Sequence, residues 1–187
     1  MRVVAGRLGG RRLRAVPGSA TRPTSDRVRE ALFSVLGDRV EKAIVLDLFA
    51  GTGALAIEAL SRGAASAVLV EQSAQATAVI RANLEALDLT GVATVRRTKV
   101  EVYLRVHRDG PFDLVFLDPP YALPVGVLAG VLAQLTRGAL APGAVVALES
   151  SARAEAPPWP GGLHPDRPRR YGDTAVHLAT YREAERP

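Results

Sequence analysis

Cysteine is absent from this chain of 187 residues, which excludes a disulfide framework and any metal site built on thiolates. Histidine is scarce and lacks the spacing of metal ligands, so surface or structural roles are expected for His107, His164 and His177. No apolar run reaches membrane-spanning length, and the first residues lack the apolar segment of a secretory signal. We therefore expect a cytoplasmic protein without membrane contact.

Acidic residues are nearly missing from one segment only. Residues 1–29 contain eight arginines and a single acid, Asp26, whereas the rest of the chain carries 16 basic and 18 acidic residues. Arginine usage in a GC-rich genome explains why lysine is rare, but not why acids are missing here. The segment therefore predicts contact with nucleic-acid phosphates rather than a merely solvated face. The arginines assigned to this contact are Arg2, Arg7, Arg11, Arg12, Arg14 and Arg22.

Two arginine-bearing stretches, RVVAG and RRLRAV, flank a glycine turn and predict a small β-hairpin. This hairpin defines a basic N-terminal arm, residues 1–20. Residues 21–187 form the second predicted unit, which begins with the helix DRVREALFSVL and has Ser25 or Asp26 as its N-cap.

Strand and helix patterns alternate from Ile44 onward. The strands IVLDLF, AVLVE, VATVRR, FDLVFLD and AVVALES are uniformly apolar, which is typical of a parallel sheet covered on both faces. The tail segment DTAVHLATY alternates instead and predicts an antiparallel hairpin at one edge. The predicted fold is therefore α/β and Rossmann-like, with a mostly parallel seven-stranded sheet and helices on both faces.

The first strand-to-helix turn, LDLFAGTGAL, predicts a ligand site because its glycines allow close approach to a helix N-terminus. Gly51, Gly53 and Ala56 also fit the pattern of NAD-binding folds, with Glu71 placed 20 residues on to accept hydrogen bonds from a ribose. Asp47 opposes that interpretation, since an acid there repels a pyrophosphate but suits an ammonium group. The candidate cofactor residues around the turn are Asp47, Phe49, Gly51, Gly53 and Glu71.

A second unusual stretch, DPPY at residues 118–121, follows the strand FDLVFL. Two prolines remove two backbone donors and fix two φ angles. Together with the motif DLFAGTG, DPPY resembles S-adenosylmethionine-dependent methyltransferases that act on exocyclic amino groups. The stretches RPTSDRVREALFSVL, DLFAGTGALAIEALSRGA and YGDT extend the resemblance to bacterial 16S rRNA guanine-N2 methyltransferases of the RsmD type.

This resemblance implies a class I methyltransferase fold, S-adenosylmethionine as cofactor, S-adenosylhomocysteine as product, and no metal. It implies a guanine of 16S rRNA as target, in assembled or partly assembled small subunits. Asp118 and the carbonyl of Pro119 would accept hydrogen bonds from the amino group and restore its lone pair, because the prolines preorganise that carbonyl. Tyr121 would stack on the base. The alternative is a strand terminator with a packing tyrosine.

The resemblance also places the N-terminal helical segment across the cofactor pocket, which makes Arg22, Thr24 and Arg29 candidates to shape the methionine end or the RNA path. A helix that simply packs on the sheet explains the same segment equally well. Relatives often hold adenine with a small polar or acidic residue after the third strand. This chain has Lys99 there, which cannot accept a hydrogen bond, so backbone groups near Val100 are expected to replace it.

Three functions stay open on the sequence alone. The first is the rRNA guanine-N2 methyltransferase. The second is an amino-methyltransferase acting on DNA adenine or cytosine, or on a protein glutamine, although the glutamine enzymes usually show Asn in place of Asp118. The third is a non-catalytic RNA-binding module. The chain has no room for a separate DNA-recognition domain, which favours a structured RNA, and a monomer is expected.

Overall fold

Strands and helices alternate along the structure as the sequence predicts. The computed structural model describes residues 1–17, 25–106 and 109–183. Its helices are α1 (Asp26–Leu36), α2 (Ala54–Ser61), α3 (Ala74–Ala86), α4 (Val100–Val106) and α5 (Val125–Leu135), with a 3-10 turn over Gly37–Val40. Its strands are β1 (Ile44–Leu48), β2 (Ser66–Glu71), β3 (Ala93–Arg97), β4 (Phe112–Leu117), β5 (Leu140–Ser151), β6 (Leu163–Pro165), β7 (Arg169–Tyr171) and β8 (Thr174–Tyr181).

The strands form one sheet in the order β3-β2-β1-β4-β5-β8-β6, and β7 pairs with β8. The first five strands of the chain are mutually parallel, and β8 runs antiparallel to β5. From β1 the chain moves outward to β2 and β3, and it then returns to the other side of β1 with β4. The gap between β1 and β4 is thus a topological switch point, where folds of this kind bind ligands.

The predicted α/β class is confirmed, and among the described residues the sheet contains eight strands where seven were predicted. The additional strand comes from the tail, where β6 and β7 are three residues each and pair with different ends of β8. Such short segments carry too little alternation to be recognised in a sequence. They form because β8 presents a row of unpaired backbone groups on the side away from β5.

Helices cover both faces of the sheet, as the apolar strands predict. Successive strand side chains point to opposite faces, so each buried strand contributes to two separate cores. One core lies under α1, α2 and α3 and includes Val45, Leu69, Leu114 and Phe116. The other lies under α4 and α5 and includes Leu46, Val70, Val115 and Leu117.

The predicted N-terminal hairpin is also present. Arg2 forms an antiparallel bridge with Arg12, and the Val3 amide donates to the Arg11 carbonyl at 2.9 Å. Val3 and Leu13 are buried in the core under α1, α2 and α3. The hairpin therefore packs on the domain instead of extending from it.

Within the described ranges, no helix combines the length and apolar character needed to cross a bilayer. The predictions for Arg22, Thr24 and His107 fall on residues outside those ranges.

Candidate active site at the carboxyl ends of the strands

Three acids meet at one edge of the sheet because the parallel register aligns the ends of β2, β1 and β4. They line a common pocket with a volume of about 440 Å³, which lies within the usual range for small-molecule sites. The acids are Asp47, Glu71 and Asp118, and the same pocket includes Phe49, Gly51, Val100, Pro119 and Tyr121. The structure thus brings together the residues predicted from two distant motifs.

Asp47 is the buried acid of this pocket, with 1% of its surface exposed. Its Oδ2 accepts a hydrogen bond from the Ala56 amide at 3.1 Å. Burial raises the pKa of Asp47 to about 8, the Ala56 bond opposes that change, and repulsion from Asp118 and Glu71 adds to it. A buried carboxyl group beside two further acids fits a cationic ligand and opposes a phosphate.

The glycine turn leaves open space for a ligand at its centre. Gly51 has φ of 56°, and a Cβ there would come no nearer than 4.0 Å to another atom. Gly53, the N-cap of α2, has φ of 79°, and a Cβ there would lie 3.0 Å from the Leu69 side chain. Gly53 therefore fixes the packing of the turn, while Gly51 opens the pocket. Phe49 also adopts a positive φ of 62°, a conformation that costs a non-glycine residue about 1–3 kcal/mol.

Glu71 has a structural task that the sequence did not reveal. Its Oε2 accepts from the Gly51 amide at 3.0 Å, and its Oε1 accepts from the Ser73 amide at 2.7 Å. The carboxylate therefore ties the end of β2 to the glycine turn after β1. Each carboxylate oxygen has further acceptor capacity, so Glu71 can also receive bonds from ligand hydroxyls.

The DPPY stretch forms the outer wall of the pocket. Asp118 and Pro119 are partly buried, and a bond of 2.8 Å from the Leu123 amide to the Pro120 carbonyl closes the turn. Tyr121 is 70% exposed although it borders the pocket. A tyrosine that served as a core packing residue would be buried, so this ring is available to a planar ligand.

Lys99 and Val100 line the opposite side of the pocket, after β3. Val100 is the first residue of α4, and the first amides of a helix have no partner within it. Lys99 is exposed at this rim. The arrangement is compatible with the predicted use of backbone groups near Val100 for an adenine ring.

The hairpin that carries the arginines borders the pocket, and its arginines lie at the surface. All five that the structure describes are exposed, namely Arg2, Arg7, Arg11, Arg12 and Arg14. Met1 and the residues after Arg14, Ala15 and Val16, line the pocket itself. A basic surface and a cofactor-sized cavity are therefore adjacent.

This architecture matches that of a known protein family. The family model described as "Conserved hypothetical protein 95" matches residues 1–180. The chain belongs to this family, the RsmD family. The ribosomal RNA small subunit methyltransferase D of Escherichia coli (strain K12) is 36% identical over 179 residues, which are 95% of this chain and 88% of that relative.

Solved structures agree with this membership of the RsmD family. The Escherichia coli protein yhhF superposes with a TM-score of 0.87 at 34% identity, covering 98% of this chain and 99% of that one. An RNA methyltransferase from Salinibacter ruber in complex with S-adenosyl-L-homocysteine has a TM-score of 0.67 at 20% identity, covering 87% and 95% of the two chains. The second comparison shows that the class I methyltransferase fold is shared.

Two candidate residues of this RsmD-family chain, Gly53 and Arg29, do not line the pocket. Arg29 was expected to shape the methionine end or the RNA path, but its side chain is fully buried. Its guanidinium bonds Asp26 at 2.8 Å and also the Arg2 carbonyl, and its Nε lies 3.8 Å from Glu58 Oε2. Arg29 therefore joins α1 to the hairpin and to α2, which agrees with the alternative of a packing helix.

Glu58 of α2 is the centre of this buried network and was missed by the sequence analysis. Its two oxygens accept from the Val4 amide at 2.7 Å and the Ala5 amide at 3.0 Å, and Oε1 also accepts from Arg62 Nε at 2.7 Å. The signal for it was a charged residue within the otherwise apolar run ALAIEALS, since a buried charge requires partners.

Proposed function

We propose that this protein transfers a methyl group from S-adenosylmethionine to the exocyclic N2 of a guanine in 16S rRNA. The observation that carries the proposal is the joint placement of Asp47, the glycine turn and DPPY around one pocket beside an exposed basic hairpin. The 36% identity to a small subunit methyltransferase over 95% of the chain supports the same substrate class.

The pocket residues fit S-adenosylmethionine on chemical grounds. Asp47 offers a buried carboxylate to the ammonium of the methionine moiety. Glu71 offers acceptors to the ribose hydroxyls, and the backbone near Val100 faces the adenine side of the cavity. Gly51 leaves room for the cofactor to approach the turn. Bound in this way, the cofactor supplies an electrophilic methyl group on a sulfonium.

The DPPY turn prepares the nucleophile. An aryl amine is weak because its lone pair is delocalised into the ring. Asp118 and the Pro119 carbonyl each accept one N–H bond, which favours a pyramidal nitrogen and directs its lone pair toward the methyl carbon. Since both acceptors are fixed in advance by the proline backbone, they need little reorganisation during reaction. Tyr121 stacks on the guanine and excludes water from the reacting face.

Cofactor affinity is expected to depend on pH through Asp47. The folded pKa of Asp47 is raised to about 8, so in the ligand-free protein this carboxyl group is mostly protonated at pH 6. It must lose its proton before it can pair with an ammonium. Affinity should therefore rise with pH, by up to about tenfold per pH unit between pH 6 and 8. Calorimetry in two buffers of different ionisation enthalpy should detect proton release on binding.

The matched variant for this test is Asp47→Asn, which keeps the size of the side chain and removes its titration. It should bind the cofactor weakly and with little dependence on pH over the same range. An equal pH dependence in the variant and the wild type would contradict the role of Asp47.

The exposed hairpin arginines supply the RNA contact in this proposal. Replacing Arg11 and Arg12 by alanine removes two cations, and it should weaken RNA binding and reduce the slope of log affinity against log salt by about 0.7–0.9 per lost phosphate contact. Filter binding between 50 and 200 mM salt measures the slope. Arg137→Ala, at an exposed site just after α5, serves as the control and should leave it unchanged. An unchanged slope in the double variant would show that Arg11 and Arg12 do not contact RNA phosphates.

The decisive experiment is methyl transfer to small ribosomal subunits that lack the modification, compared with protein-free 16S rRNA. Mass spectrometry of nuclease digests should locate one new methyl group on N2 of a guanine. We expect the assembled or partly assembled subunit to be the better substrate, because a short hairpin reads little sequence and RNA shape must supply specificity. Such a substrate implies a cytoplasmic enzyme, and we propose that it acts as a monomer. Methyl transfer to DNA or to a protein glutamine, with none to rRNA, would refute the proposal.

A further inference from the structure

Asn83 of α3 connects the basic hairpin to the glycine turn. Its side chain is buried, with 2% of the residue exposed, and three hydrogen bonds join it to main-chain groups. Asn83 Oδ1 accepts from the Arg14 amide at 2.8 Å. Its Nδ2 donates to the Arg14 carbonyl at 3.2 Å and to the Thr52 carbonyl at 3.1 Å. One amide group therefore joins two segments that lie 38 residues apart in the sequence.

The two segments joined in this way belong to the two binding surfaces. Thr52 lies between the two glycines of the turn and lines the cofactor pocket. Arg14 is an exposed arginine of the hairpin, and the next two residues, Ala15 and Val16, line the same pocket. A second contact runs parallel to the first, because Thr52 Oγ1 lies 3.8 Å from the Met1 sulfur. The hairpin is thus part of the pocket wall.

An asparagine side chain is well suited to this position. It offers an acceptor and a two-proton donor on one small planar group, and here all three bonds are used. Aspartate could still accept from the Arg14 amide but has no donor for the two carbonyls. Leucine would leave all three main-chain groups without their side-chain partner, which is costly at a buried site.

We propose that Asn83 is a positioning residue that couples the RNA-binding hairpin to the cofactor-binding turn, so that cofactor and RNA each increase the affinity for the other. The proposal rests on the function proposed above, since it needs both ligands. Its physical basis is that a ligand which orders the turn also orders Arg14, because the side-chain amide of Asn83 bonds both. Thermodynamic linkage then requires that RNA binding raises cofactor affinity by the same factor.

The first test uses the cofactor product alone, so it does not depend on the RNA substrate. Hydrogen exchange of the Arg14 amide should slow when S-adenosylhomocysteine binds to the wild-type protein. The Asn83→Asp variant keeps the acceptor for that amide but loses the bond to the turn, so it should show little added protection. Equal protection of Arg14 in the two proteins, or none in the wild type, would refute the link.

The second test measures coupling between the two ligands. The dissociation constant for S-adenosylhomocysteine is determined with and without unmodified small subunits at saturating concentration. The wild type should bind it at least about fivefold more tightly in the presence of RNA, the lower end of common coupling factors. In Asn83→Asp and Asn83→Leu the ratio should fall close to one. A ratio that stays at the wild-type value in both variants would refute the role of Asn83.

Ser61 provides the matched control. It is also buried and also holds the hairpin, because its hydroxyl donates to the Ala5 carbonyl at 2.6 Å and accepts from the Leu8 amide at 3.0 Å. Those bonds end on α2 and do not reach the turn. Ser61→Ala should therefore weaken the attachment of the hairpin while keeping the coupling ratio of the wild type. Loss of coupling in Ser61→Ala as well would assign the effect to general loosening and refute the specific role of Asn83.

The melting temperature of each variant shows whether a loss of coupling is caused by unfolding. If Asn83→Leu does not fold, Asn83→Asp decides the question, because it retains one of the three bonds. Failure of the wild type to bind any small subunit would contradict the proposed function instead. The exchange experiment would then still decide whether cofactor binding reaches the hairpin.

Discussion

Replacing Asp118 with alanine is expected to lower turnover by about 10²–10³-fold while cofactor affinity stays within a few fold. In the proposed mechanism Asp118 is a preorganised hydrogen-bonding group at the reacting atom, and the loss of one such group lowers turnover by about this factor in other enzymes. Cofactor affinity should persist because Asp47, Glu71 and the glycine turn remain in place. Single-turnover rates and calorimetric titration measure the two quantities separately.

Asp118→Asn is the informative companion of that variant. It keeps an acceptor oxygen but loses the negative charge that favours a developing positive charge on the amino nitrogen. Its turnover should lie between those of the wild type and Asp118→Ala. If Asp118→Ala instead lost affinity and turnover in equal measure, Asp118 would act mainly in holding the cofactor.

The largest effect on stability is expected for Glu58→Leu. This change leaves the buried Arg29 with one fewer anionic neighbour and deprives the Val4 and Ala5 amides of their acceptor. Removing one partner of a buried ion pair costs about 3–5 kcal/mol, which corresponds to a fall of at least about 6 °C in the melting temperature. Thermal unfolding followed by circular dichroism measures it. The exposed Glu30→Leu is the control and should have little effect.

A double variant separates the charge from the packing. Arg29→Met combined with Glu58→Leu removes both members of the pair, and an apolar replacement of a buried pair is often tolerated. The double variant should therefore be more stable than Glu58→Leu alone. A double variant that is less stable would indicate that the bonds from Glu58 to the hairpin amides, rather than the unpaired arginine, dominate the loss.

The sequence predicted most of the fold because its signals are local. Ser25 caps α1 by accepting from the Val28 amide at 3.2 Å, as expected for a serine directly before a helical pattern. The apolar strands and the hairpin were likewise predicted from neighbouring residues. The strands β6 and β7 were not separately predicted, because their pairing depends on β8 rather than on their own composition.

The pocket was predictable for a different reason. In a parallel α/β sheet the carboxyl ends of neighbouring strands share one edge, so acids at the ends of β1, β2 and β4 had to approach one another. The network around Glu58 was not predictable in this way. Arg29 precedes Leu32, Phe33 and Leu36 by three, four and seven residues, and this spacing places it on the buried face of α1. Its partner Glu58 lies on another helix, so the spacing could not identify it.

The open margins of the sheet have a consequence for solubility. The edge strand β3, at its first margin, is five residues long and ends in Arg96 and Arg97. A strand from a second molecule would have to bury these cations to pair with it. Its other margin is divided between β6 and β7, and β6 contains Pro165, which has no amide proton to donate. Neither margin is a good template for strand addition between molecules, so this chain should resist aggregation through its sheet at high concentration.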